Sequence, residues 1–252
     1  MRYVAIGDSF TEGVGDELPG GATRGWADLV ATGLASATGE TVQYANLAIR
    51  GRLLEPIATT QLDAALALSP APTLLTFNGG GNDMMRPGID VTTLVRLTER
   101  VITRCADAGV RLVLLSGADP SAGLPFGKVI HRRGTELTVA VTRLADRYDD
   151  LVFVDMFNDQ EIRKPGYWSP DRLHLNGDGH RRVASRVLAA LGYPVTAHVV
   201  APAPGGRKSV LEEARYYREH VLPWFNRRLR GRSSGDQRTG KHEQWVPVEA
   251  MV

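Results

Sequence analysis

The 252-residue chain has a single cysteine, Cys105, so an internal disulfide framework is excluded and the fold must rest on packing alone. Cys105 lies in the helix-like stretch "VITRCADAG" and reads as a core or half-buried thiol. No uninterrupted apolar run approaches the ~18 residues of a membrane span. The opening "MRYVAIGDS" has one positive charge and four apolar residues before a glycine, too few for a secretory signal. These two gaps predict a cytoplasmic protein. A strong charge of either sign is also missing: the net charge is +2, with −2 on residues 1–206 and +4 on residues 207–252. Nothing in the body therefore calls for a nucleic-acid partner. No His/Cys/Asp spacing suggests a metal site. "GVGDELPGG" has Leu18 where a dinucleotide fingerprint needs its third glycine, and "GGGND" lacks the Gly-Lys-Ser/Thr ending of a phosphate loop. The expectation is a chain with no metal and no cofactor.

What is present is a regular alternation. Short apolar runs at Tyr3–Ile6, Val42–Asn46, Thr73–Phe77, Arg111–Leu115 and Leu151–Asp155 read as buried strands. Between and after them, helix-like segments fall at roughly 25–38, 54–68, 90–108, 130–148 and 177–191. In the third, Asp90 can cap the helix, Leu94, Leu97, Val101 and Cys105 share a face, and Gly109 ends it. In the fourth, Leu137, Val141 and Leu144 repeat that spacing. Strand–helix alternation predicts a three-layer α/β/α sandwich with a five-stranded parallel, flavodoxin-like sheet. One domain is expected through residue 200. A Pro/Gly-rich linker, a basic amphipathic helix at about 209–230 and a disordered tail follow it. On this reading the tail is dispensable, because strands and helices are complete by residue 191.

Ligand chemistry in such folds sits at the carboxyl ends of the strands. The first strand runs into Gly7-Asp8-Ser9, the second into "NLAIRG" with Asn46 and Gly51, and the third into "NGGGNDMM" with Asn82 and Asp83. A long loop after the fifth strand holds Asp171 and His174. A serine hydroxyl is a weak nucleophile that needs a base, which His174 can supply, and a carboxylate such as Asp171 can fix that base's tautomer. Attack on an ester creates an oxyanion, for which the backbone N–H groups of Ser9 and Gly51 and the side-chain amide of Asn82 are suitable donors.

The blocks "GDSFTEG", "NLAIRG", "GGGNDM" and "DRLHLNGDGH", in this order, resemble the SGNH, or GDSL, hydrolases. The resemblance spans roughly residues 1–195. It implies a serine hydrolase with Ser9 as nucleophile, His174 as base and Asp171 as its partner. It also implies Ser9, Gly51 and Asn82 as oxyanion donors, a small acyl ester as substrate, and esterase or lipase activity through an acyl-enzyme. An acyltransferase using the same site, or a non-catalytic ligand-binding module of the same fold, are the alternatives.

Several residues have plainer readings. Asp8 and Asp83 are expected to be turn-capping carboxylates. His180 is expected to be a surface or capping histidine, and His131, His198, His220 and His242 have no partner visible in the sequence. Met84, Met85, Tyr167 and Trp168, with the loop "GADPSAGLPFGKVIHRRG", could border the pocket or belong to the core.

Overall fold

The computed structural model describes residues 1–88, 90–193, 215, 216, 218, 219 and 234–250. Its elements run β1 (Arg2–Ile6), α1 (Ser9–Glu12), α2 (Trp26–Thr38), β2 (Val42–Asn46) and α3 (Leu54–Pro56). A π-helical turn (Ile57–Gln61) continues α3 into α4 (Leu62–Leu66), followed by β3 (Leu74–Asn78), α5 (Gly81–Met84), α6 (Val91–Asp107) and β4 (Arg111–Leu115). Then come α7 (Gly127–Ala145), β5 (Val152–Val154), α8 (Gly177–Ala190) and β6 (His242–Val248). Every apolar run of the sequence became a strand, within one or two residues of its expected limits.

The sheet has the order β5-β4-β3-β1-β2-β6. All pairings from β5 to β2 are parallel. Side chains alternate across it as a strand's period of two requires. Tyr3 and Ala5 face a core built with α2 and α8, including Trp26, Leu34, Val183 and Val187. Val4 and Ile6 face a second core built with the α3–α4 segment, α6 and α7, including Ile57, Leu62, Val101 and Leu144. Cys105 is buried in this second core, where desolvation pushes its thiol up to about 12. Asp90 caps α6 through the Thr92 and Thr93 amides, as the sequence implied.

The sheet departs from expectation at one edge. The segment taken as a disordered tail supplies a sixth strand, β6, antiparallel to β2. Its sequence, HEQWVPV, is mostly half-exposed, so it shows no apolar run, and Pro247 is tolerated because the strand is an edge. The Thr41 hydroxyl donates to Glu249 (2.7 Å), Lys241 Nζ to Asp28 (2.8 Å) and Trp245 Nε1 to the Pro70 carbonyl (3.0 Å), tying both ends of β6 to the body. The sheet is thus mixed and six-stranded, still three-layered. The linker and the basic helix expected at about 209–230 lie outside the described residues, apart from positions 215, 216, 218 and 219. Among the described residues no helix is long and apolar enough to cross a membrane.

Candidate active site

The chain winds outward from β1 to β2, then crosses back to β3 on the other side of β1. The winding direction therefore reverses at the carboxyl end of β1, where neighbouring connections diverge and leave a crevice. Ser9 sits there as the first residue of α1. Asp8 caps this short helix, its carboxylate accepting from Phe10 N (3.0 Å). Gln61, from the π-helical turn, grips Gly7 in the preceding peptide: its Oε1 accepts from Gly7 N (2.8 Å) and its Nε2 donates to Gly7 O (3.0 Å). Nothing in the sequence singled out Gln61, since its partners are backbone groups 54 residues away.

Asp171 and His174 sit in a tight turn closed by Ser169 N donating to His174 O (2.9 Å). Asp171 Oδ1 accepts from Leu173 N (3.0 Å), His174 N (3.0 Å) and the Ser169 hydroxyl (2.7 Å). Its Oδ2 lies 2.6 Å from His174 Nδ1. Burial works to raise the Asp171 carboxyl, but the hydrogen bond and charge of His174, with the backbone and Ser169 donors, outweigh it and hold the group well below the usual carboxylate range. An ionised Asp171 keeps the neutral imidazole's proton on Nδ1 and leaves Nε2 as an acceptor. Arg172, between them, has φ of 58°, a left-handed conformation that costs a non-glycine residue ~1 kcal/mol or more. Gly15 braces this turn from the α1 side. Its φ is 101°, and a β-carbon there would run into the Leu175 carbonyl and crowd the His174 side chain.

Gly51 (φ 76°) ends the loop that follows β2. That loop is anchored twice. Asn46, fully buried, donates to Thr11 O and Tyr44 Oη and accepts from Ala48 N. Glu12 accepts from Arg50 N (2.6 Å), Nε (2.8 Å) and Nη2 (2.5 Å). Asn82 arrives on α5, and both hydrogens of its amide are engaged, to Asp8 Oδ2 (3.0 Å) and Arg52 O (3.0 Å). The donor that the sequence assigned to an oxyanion therefore holds Asp8 and the Gly51 loop together in this state. Asp83 caps α3 through Leu54 N (3.0 Å), the structural role expected of it.

Ser9, Gly51, Asn82, Asp171 and His174 all line one cavity of about 660 Å³. No hydrogen bond among the described residues joins Ser9 to His174, and such bonds commonly tighten only when substrate is bound. Met84, Met85 and Trp168 line the same cavity, whereas Tyr167 is fully buried in the first core.

Two histidines take part in contacts that the sequence did not reveal. His180 is completely buried, accepting from Trp26 N on Nδ1 (3.2 Å) and facing Val14 O with Nε2 (3.3 Å), so it joins α8 to the start of α2 and to the loop after α1. Of the surface and capping positions the sequence offered, the structure gives the capping one, at the first amide of α2, and buries it because α2 packs over it. His131 has a partner after all, Asp119 at 2.8 Å, and stacks on Phe157. His242 sits edge-on to Tyr44, while His198 and His220 lie outside the described residues.

A family model for GDSL-like lipases/acylhydrolases matches residues 5–182. Among solved structures, the lipase Lip_vut3 from a goat rumen metagenome is similar at TM-score 0.63 and 19% identity, over 77% of this chain and 98% of that one. The psychrotrophic esterase EstA from Pseudoalteromonas sp. is similar at 0.58 and 18%, over 76% and 96%. Axe2, an acetylxylan esterase from Geobacillus stearothermophilus, is similar at 0.57 and 15%, over 79% and 96%. At these identities the likeness is one of fold. No curated protein matches the chain.

Proposed function

The chain belongs to the GDSL-like lipase/acylhydrolase family, whose members cleave esters, and we propose that it does so through an acyl-enzyme on Ser9. The observation that carries this reading is the 2.6 Å Asp171–His174 pair opening on the same cavity as Ser9 and Gly51. In the first half-reaction His174 Nε2 takes the Ser9 hydroxyl proton as Oγ bonds to the ester carbonyl carbon. The tetrahedral oxyanion lies against the N–H groups of Ser9 and Gly51. The Asn82 amide joins them by turning one hydrogen from its present acceptor to the oxyanion. His174 then returns the proton to the leaving alcohol as the carbon–oxygen bond breaks. Water repeats the sequence on the acyl-enzyme, releasing the acid and restoring Ser9. Asp171 stays ionised throughout and holds the imidazole.

Cleavage of p-nitrophenyl butyrate tests the reading. Ser9→Ala is expected to lower kcat by several orders of magnitude with an unchanged melting temperature, as loss of a triad member does. A folded Ser9→Ala protein with wild-type turnover would overturn it.

A further inference from the structure

The cavity does not end at Ser9. Its far wall is one row of α7 side chains spaced four apart, Val129, Arg133, Leu137 and Val141, which spans three turns or ~18 Å. Exposure falls along that row, from 39% at Val129 to 7% at Leu137 and 8% at Val141. Across from the deep end stand Leu114 of β4 and Thr98 of α6, both buried. The space is therefore a slot entering the second core between the sheet and α7, not a surface groove. Arg133 and Thr98 bring polar groups to it that are already engaged, and Thr138 of α7 adds one hydroxyl to the lining. Arg133 Nη1 donates to Met84 O and Arg86 O, leaving its methylene stem beside the slot, and the Thr98 hydroxyl donates to Leu94 O. At the mouth, Phe126 is 85% exposed and adds an apolar rim. A sugar or other polyol placed in this slot would lose most of its hydrogen bonds to water, with the Thr138 hydroxyl the main group to replace them.

Taking Ser9 as the nucleophile, we infer that the acyl group of the substrate is an unbranched aliphatic chain of medium length lying in the α7 slot. An extended chain advances roughly 1.2 Å per bond, so ~18 Å holds about fifteen carbons in a straight line. That length sets the upper limit on the chain the slot can take.

A chain-length series of p-nitrophenyl esters, acetate to dodecanoate, reads this directly. Each buried methylene is expected to raise kcat/KM about fourfold, so octanoate should exceed butyrate by roughly 10²-fold. A profile that peaks at acetate or butyrate overturns the inference. Val141→Trp fills the bottom of the slot and should lower the decanoate-to-butyrate ratio at least tenfold. A folded variant with the wild-type ratio counts against it. Calorimetric titration of the unmodified protein with decanoate, and with acetate at the same concentration, needs neither turnover nor a variant. Decanoate alone should bind, and Ser9→Ala should bind it equally well. Decanoate binding without hydrolysis of any ester would reject the Ser9 reading and leave the slot standing. Hydrolysis with no decanoate binding would reject the slot alone.

Discussion

Two buried titratable side chains flank the Ser9 turn, Asp8 within it and His180 across from Phe10 on α8. Burial pushes the Asp8 carboxyl up to about 6, against the lowering effect of its Phe10 hydrogen bond. Burial pushes His180 down to about 4, against its contact with Val14 O. The linkage signs are opposite. Asp8, raised above its unfolded value near 3.9, stabilises the fold at low pH and loses that contribution as pH rises through about 6. His180, depressed below 6.5, stabilises above that value and loses its contribution as pH falls toward 4. Each is worth on the order of 3 kcal/mol and they partly cancel. Relative to wild type, Asp8→Asn should therefore gain stability as pH rises from 4 to 6, while the deficit of His180→Gln should shrink as pH falls from 6.5 to 4. Melting curves across that range check both, and parallel curves would refute the assignments. At the reactive pair, Asp171→Asn should lower kcat by roughly 10²–10⁴-fold, and His174→Ala by more, since an imidazole remains in the first but is poorly held. Residues of this kind were legible in the sequence because chemistry restricts their type and order. Gln61, Glu12 and His180 were not, because their partners are backbone groups or charges that only the fold brings near.

Among the elements, the loop from Leu47 to Gly51 depends on its neighbours. α1 reaches it through the three Glu12–Arg50 bonds, and hydrogen bonds to charged groups contribute ~1.5–3 kcal/mol. The segment before β6 touches the same loop from outside: a β-carbon on Gly235 would collide with the Arg50 carbonyl, so only glycine fits there. Glu12→Gln should therefore reduce kcat about tenfold or more with little change in KM, because it loosens the Gly51 N–H rather than the acyl slot. Steady-state kinetics beside a melting curve decide this; a loss confined to stability would show that Glu12 only holds the fold. The parallel strands were readable because burial on both faces makes each a continuous apolar run. β6 was not, because an edge strand exposed on one side carries no such run and takes its order from β2.

For the whole molecule, the sheet is closed on the β2 side by a segment nearly 200 residues later in the chain. The expectation that everything needed is in place by residue 191 overlooks this edge. Ending the chain after residue 233 would strip β2 of its outer partner and uncover the side chains of Tyr44 and Trp245's neighbours, creating an open strand edge prone to association. The shortened protein should melt about 5–10 °C lower and lose esterase activity through the Gly51 loop, with calorimetry and light scattering as readouts. Unchanged melting and activity would show that β6 is ornamental. Ester cleavage through an acyl-enzyme rests on one hydroxyl, Ser9, at the point where the winding reverses. The most direct measurement is reaction with a fluorophosphonate followed by mass spectrometry of the intact chain and its peptides. The expected result is a single adduct on Ser9, abolished in Ser9→Ala and slowed in His174→Ala. An adduct on any other serine, or none on a protein that hydrolyses esters, would contradict it.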